Sequence, residues 1–105
     1  MVDIETCRKL ALGFPDAVEQ EHFGIPSFRV NKKIFMTLRP KENLAMIKLP
    51  EFAQSVYAAS NPAFIYPVKG FWGTKGATMF DLTKVKKSIL HTALKEAYDS
   101  VVNKK

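Results

Sequence analysis

Between Val18 and Leu49 the helical spacing of apolar residues gives way to a Phe-, Val- and Ile-rich segment. It is interrupted by Gly24, Pro26, the pair Asn31-Lys32 and RPKEN at 39–43. Short runs of β-branched and aromatic residues bounded by turn formers read as strands joined by tight connections. The segment therefore predicts an antiparallel meander of about four strands, near 18–23, 27–31, 33–38 and 44–48. A two-residue turn at Asn31-Lys32 sets Val30 opposite Lys33 and Phe28 opposite Phe35, and it turns Arg29 to the other sheet face. A meander this long has an apolar side that other elements must cover, which limits the fold to a sheet packed by whatever helices the rest of the chain supplies.

Those helices are legible on either side. Ile4, Cys7, Ala11 and Phe14 recur at helical spacing, Asp3 is a capping residue, and Gly13 with Pro15 stops the element, so a helix is expected over about 4–12. Pro50 and Glu51 suit the first turn of a second helix that Asn61-Pro62 ends. Two short extended stretches follow, 64–68 and 77–82, joined by the glycine-rich run YPVKGFWGTKGA (66–77). Gly70, Gly73 and Gly76 argue there for a shaped loop or hairpin tip rather than a helix. Last, Thr83 is a candidate cap, and Val85, Ile89, Ala93, Ala97 and Val101 repeat every four residues, predicting a helix over 84–103. The order αββββαββα is that of an α+β fold, an antiparallel sheet with helices on one face, in a single domain over residues 1–105.

Eight phenylalanines and a 47% hydrophobic content are enough to fill one core. Cys7 stands alone, so no internal disulfide is expected. No secretory leader is recognised and no apolar run approaches the ~20 residues of a membrane span. The expectation is a cytoplasmic monomer without a membrane partner. Charge is uneven: residues 1–23 hold two Lys or Arg against five carboxylates, 24–48 hold six against one, and 61–105 hold eight against three. A basic middle and end favour a polyanionic partner, although lysines also serve solubility.

Chemical motifs are sparse. GFWGTKG lacks the spacing and the Lys-Ser/Thr of a phosphate-binding P-loop, and a Gly-x-x-Gly clamp of the KH type would join helices, whereas this one joins strand-like segments. Cys7 falls on an apolar stripe with no activating cation nearby, and His22 and His91 have no ligand spacing around them, so no metal and no cofactor is expected. Glu19 and Glu21 share one strand face, where solvated carboxylates are far commoner than an acid/base pair. The chain is therefore not expected to be an enzyme.

The run FPDAVEQEHFGIPSFRVNKKIFMTL (14–38) carries Phe23, Gly24, Pro26, Phe28, Val30, Lys33 and Phe35 in a Phe-Gly-x-Pro-x-Phe-x-Val-x-x-Lys-x-Phe pattern, and in this it resembles the MmcQ/YjbR-like family. NPAFIYP, Gly73-x-x-Gly76, Asp81-Leu82 and AYDSVVNKK extend the resemblance over nearly the whole chain. It implies a compact α+β domain of frataxin-like or secretion-chaperone-like sandwich shape, and DNA binding through two hairpin wings. The resemblance also implies a Gly-Trp opening the last strand, where this chain has Gly76-Ala77.

The candidate nucleic-acid-binding residues are those of the basic connections: Arg29, Lys32, Lys33, Arg39 and Lys41 around two hairpins, and Lys69, Trp72 and Lys75 around the glycine loop. Lys and Arg on hairpins follow phosphates, and an exposed aromatic stacks on an unpaired base. Because burying an indole is so favourable, Trp72 is expected in or against the core, with an exposed platform as the alternative. Three functional readings follow: a non-catalytic DNA-binding domain using the tips, a small protein- or ligand-binding module, and, most distantly, an enzyme.

Overall fold

The computed structural model describes residues 2–102. Along the chain lie α1 (Ile4–Leu12), β1 (Val18–His22), β2 (Ile25–Val30), β3 (Lys33–Arg39), a 3-10 turn (Pro40–Glu42), β4 (Leu44–Lys48), α2 (Glu51–Ser60), β5 (Ile65–Pro67), α3 (Phe71–Thr74), β6 (Ala77–Asp81) and α4 (Lys87–Val102). The six strands form one antiparallel sheet in the order β1-β2-β3-β4-β6-β5. After β4 the chain leaves the sheet through α2, returns as the border strand β5, and fills the gap with β6.

Local chemistry places each boundary. Asp3 caps α1, its carboxylate accepting from the Thr6 N–H at 2.7 Å, as the sequence suggests. Phe23-Gly24 and Asn31-Lys32 are two-residue hairpin loops in which both residues have positive φ, the primed geometry that matches strand twist. Val30 pairs with Lys33 as expected, but Phe28 pairs with Met36 rather than Phe35. The register shifts between Phe28 and Arg29, leaving an extra residue on β3; this bulge brings both Phe35 and Met36 into the core.

Two further expectations are corrected. The glycine-rich stretch contains one helical turn, α3, rather than a plain hairpin tip. Gly70 at φ 88° starts it, and short-range bonds from the Gly73 N–H to Gly70 O and the Lys75 N–H to Trp72 O close it. The last helix starts at Lys87 instead of 84, because Asp81 captures the preceding segment. The Asp81 carboxylate accepts from the Thr83 N–H and Oγ1, at 3.0 and 2.6 Å, and its carbonyl accepts from the Lys84 and Val85 N–H groups. The expected helix end, Asn103, and the lysines after it lie outside the described residues.

All three long helices pack on one face. Cys7 Sγ of α1 lies 3.6 Å from Met36 Sδ, the Tyr57 ring of α2 is 6.1 Å from Phe80, and Tyr98 of α4 meets the rings of Phe35 and Phe14. Opposite residues of antiparallel strands share a face. The row Phe28, Met36, Ile47 and Thr78 therefore runs beneath the helices, while Ser27, Thr37, Met46, Met79 and Tyr66 look the other way. In α4 the fully buried positions are Leu90, Ala93, Leu94 and Ala97, with Ile89 and Val101 half-buried beside them. The interior row is thus turned slightly from the four-residue repeat read in the sequence. Leu94→Asp should cost about 4 kcal/mol or more through a buried unpaired charge and leave the domain unfolded in a thermal melt. Ile89→Asp, at the margin of the row, should keep a cooperative transition at lower temperature.

Candidate functional site

A groove of about 1120 Å³ runs over the sheet face away from the packed helices and is also lined by Ser100 and Val101 at the end of α4. Its floor includes the half-buried side chains of Ile25, Ile34 and Met46 with Thr37 between them. Around it stand Arg29, Lys32, Lys33, Arg39, Lys48 and Lys75, against a single carboxylate, Glu51. Strand parity accounts for much of this asymmetry: Arg29, Arg39 and Lys48 share the open side, whereas Lys33, paired with buried Val30, reaches the groove from the end of its strand. Glu19 pairs with Phe28 and Glu21 with Pro26, so both carboxylates share the helix side, while Gln20 and His22 share the groove side. Arg8 of α1 binds Glu5 and Glu19, the latter through Nε at 2.9 Å, holding negative charge on the far side of the sheet. None of the three ion pairs among the described residues involves a groove cation.

Arg29 is the most constrained of these cations. Its Nε donates to Ser27 Oγ at 3.2 Å, and Ser27 in turn donates to the Gln20 carbonyl at 2.7 Å. One terminal nitrogen reaches His22 Nδ1 at 3.3 Å. A guanidinium only donates, so Nδ1 serves as the acceptor in this contact. The network lays the Arg29 side chain along the sheet and leaves donors of the fork for an anion.

The glycine loop forms one end of the groove, and Trp72 is exposed there, not packed in the core: the residue is 65% accessible and its neighbour Phe71 64%. Indole burial loses here to backbone geometry. A Cβ on Gly73 would lie 1.8 Å from the Val68 carbonyl oxygen, and one on Gly76, at φ 101°, would lie 1.9 Å from that of Leu49. The backbone of this loop, not the indole, occupies the space against β4. Buried Gln54 of α2 fastens it, donating to the carbonyls of Gly73 and Ala77 at 2.9 and 3.1 Å. The Phe71 and Trp72 rings meet edge to face at 5.4 Å, and Lys75 Nζ sits 5.5 Å from the Phe71 ring centre.

Of the residues singled out in the sequence, Arg29, Lys32, Lys33, Arg39, Trp72 and Lys75 line this one groove; Lys41, in the 3-10 turn, and Lys69 do not. Sequence reasoning missed Lys48, His22 and Phe23. Lys48 shares the parity of Met46 at the end of a strand, a signal that period-two reading carries once the buried face is known. Phe23 occupies the β1–β2 turn at φ 52° with 93% of its surface exposed, an unusual place for a bulky aromatic.

Cys7 lies on the other side of the molecule, fully buried, and desolvation pushes its thiol up to about 12 from 9.0. No cluster of three or more His, Cys, Asp or Glu able to hold a metal occurs among the described residues, and no helix among them is long and apolar enough to cross a membrane.

Fold and groove together define an α+β sheet protein with one packed face and one open basic face. The YjbR family model matches residues 12–100, and the chain belongs to that family. The crystal structure of DR2400 from Deinococcus radiodurans, a protein with the DUF419 domain, is similar with a TM-score of 0.86 at 17% identity, over 99% of this chain and 81% of that one. That likeness is one of fold. No curated protein matches the chain.

Two outcomes test this description. Gly76→Ala should lose about 2–4 kcal/mol in denaturant unfolding, from positive φ and the collision with Leu49, whereas Trp72→Ala should stay within about 0.5 kcal/mol of the parent. For Cys7, the unfolded thiol ionises from pH about 9.0 while the folded one keeps its proton to about 12. The folded state then binds more protons, so stability should fall as pH rises through that window, by at most about 1.4 kcal/mol per unit. Tyr57, raised by burial and by Glu96, adds a decline of the same sign, which Cys7→Ala should retain while losing the rest.

Proposed function

We propose that the chain is a non-catalytic nucleic-acid-binding domain that holds phosphates along the open sheet face. The observation that carries this reading is the charge of the groove: six Lys or Arg against Glu51, with none of the six in an ion pair among the described residues. Unpaired cations gathered around one concavity repel each other, and a polyanion relieves that repulsion while releasing its own counterions. Gathering positive charge on β2, β3, β4 and the glycine loop, with Glu19 held on the helix side, supports a surface that follows a phosphate chain. Lysine and arginine contacts to phosphate position a nucleic acid without reading its sequence, so binding is weak and largely independent of sequence.

The reading shifts emphasis from the hairpin tips to the face between them. Lys32, Lys33 and Lys75 stand at one end of the strands and Arg39 at the other, with Arg29 between, so the phosphate path crosses the sheet. The test is the salt dependence of binding to duplex DNA. With all six cations engaged the slope of log affinity against log salt should be about −5. Lys32→Glu with Lys33→Glu should reduce its magnitude by about 2 with the melting temperature retained. Lys84→Glu with Lys86→Glu, outside the groove, should leave the slope unchanged. Absence of salt-sensitive binding to both duplex and single strands at low ionic strength overturns the proposal.

A further inference from the structure

We infer that the groove takes single-stranded nucleic acid, with bases on its apolar floor and aromatic ends and phosphates on its basic rim. The inference rests on the nucleic-acid reading above and deepens it. The floor is the first reason. Ile25, Ile34 and Met46 are half-buried and exposed to the groove, and phosphate has no use for such a surface. A duplex shows a protein its charged backbone and hides its base faces in the stack, so it would meet the rim and leave the floor empty. A single strand offers the two chemistries the groove presents, an anionic backbone and free base faces.

The aromatics are the second reason. Phe23 and Trp72 both line the groove and are 93% and 65% exposed. Phe23 belongs to the β1–β2 turn and Trp72 to the loop before β6, at opposite ends of the strands. Each is presented at a cost. Phe23 holds a positive φ that asparagine adopts with less strain in the same turn, and Trp72 stands on a loop kept in place by Gly73, Gly76 and Gln54. Stacking on such platforms tolerates any base, which agrees with a rim that contacts only backbone.

Charge complementarity commits the occupant to a polyanion, and the floor with its two aromatics distinguishes nucleic acid from an acidic peptide. Trp72 is the chain's single tryptophan, so its fluorescence reports occupancy of the groove directly. The experiment titrates the whole chain at low ionic strength with a thymidine oligomer, a uridine oligomer, a duplex of matched length, and polyglutamate. The expected result is binding of a single strand at least about 10-fold tighter than the duplex, with quenching of Trp72. The ratio between the thymidine and uridine oligomers separates DNA from RNA. Trp72→Ala and Phe23→Asn should each weaken single-strand binding by about 5- to 100-fold. Both should melt no lower than the parent by more than a small margin, and Phe23→Asn should melt at the same temperature or higher. Duplex binding equal to or tighter than single-strand binding overturns the inference and leaves the proposed function standing, as does single-strand binding that leaves Trp72 fluorescence unchanged. Polyglutamate binding as tightly as the oligomers, with the same quenching, overturns it in favour of an acidic peptide. Failure of every polyanion to bind removes the proposed function and this inference together.

Discussion

Leu90, Ala93, Leu94 and Ala97 of α4, lying with that helix against β2, β3 and β4, make the contact on which the rest of the molecule depends. Side chains alternate along a strand, so once α4 claims the parity of Phe28, Met36 and Ile47, the intervening residues, the bulged Phe35 excepted, are committed to the opposite surface. The helix side is then saturated: α1 reaches it through Cys7, α2 through Tyr57, α4 through Tyr98. Among the described residues, the long helices meet the other side only at their ends, through Glu51 of α2 and Ser100 and Val101 of α4. What that side displays is decided by the residues between the core positions, and those are Arg29, Ile34, Thr37, Met46 and Lys48. The groove is thus a by-product of how the core is satisfied, coloured by which polar residues stand at alternate positions.

The glycine loop follows a second rule, in which backbone comes closer to backbone than any side chain allows. Gly73 against Val68 and Gly76 against Leu49 seat the loop on the end of β4, where the Leu49 N–H also donates to Gly76 O at 2.9 Å. Gln54 satisfies two further carbonyls from inside α2. With the glycines consumed by close contact, the large residues beside them turn outward. The loop therefore behaves as a rigid mount, with Phe71 and Trp72 as its cargo.

Most elements were legible because each is announced locally. The cap at Asp3, the paired turn residues Asn31-Lys32, the breaker Asn61-Pro62 and the apolar spacing of the last helix act within a few residues of themselves. What was not legible depended on partners distant in the chain. The bulge at Phe35 arises from how β3 meets both β2 and the helices above it. The late start of α4 comes from the Asp81 carboxylate outbidding helix formation around Thr83, although spacing alone favours a helix there. For the site, the basic residues near the turns were visible, but their convergence on one face was not, since it needs the strand order and the parity together. Lys48 reads as an ordinary strand end, and the hydrophobicity that favours a core position for Trp72 says nothing about the carbonyls of Val68 and Leu49.

The order β1-β2-β3-β4-β6-β5 has a consequence for the molecule in concentrated solution. A sheet with one uncovered face still has two borders at which a foreign strand could pair, and such borders seed aggregation when they are long, flat and apolar. Here one border is β1, with Glu19 and Glu21 among its five residues, and the other is β5, three residues long and closed by Pro67, which has no N–H to give. Growth of the sheet sideways is therefore poorly templated at both ends. The protein keeps a broad sheet face open while denying its neighbours the backbone ladder that would turn that face into a fibre.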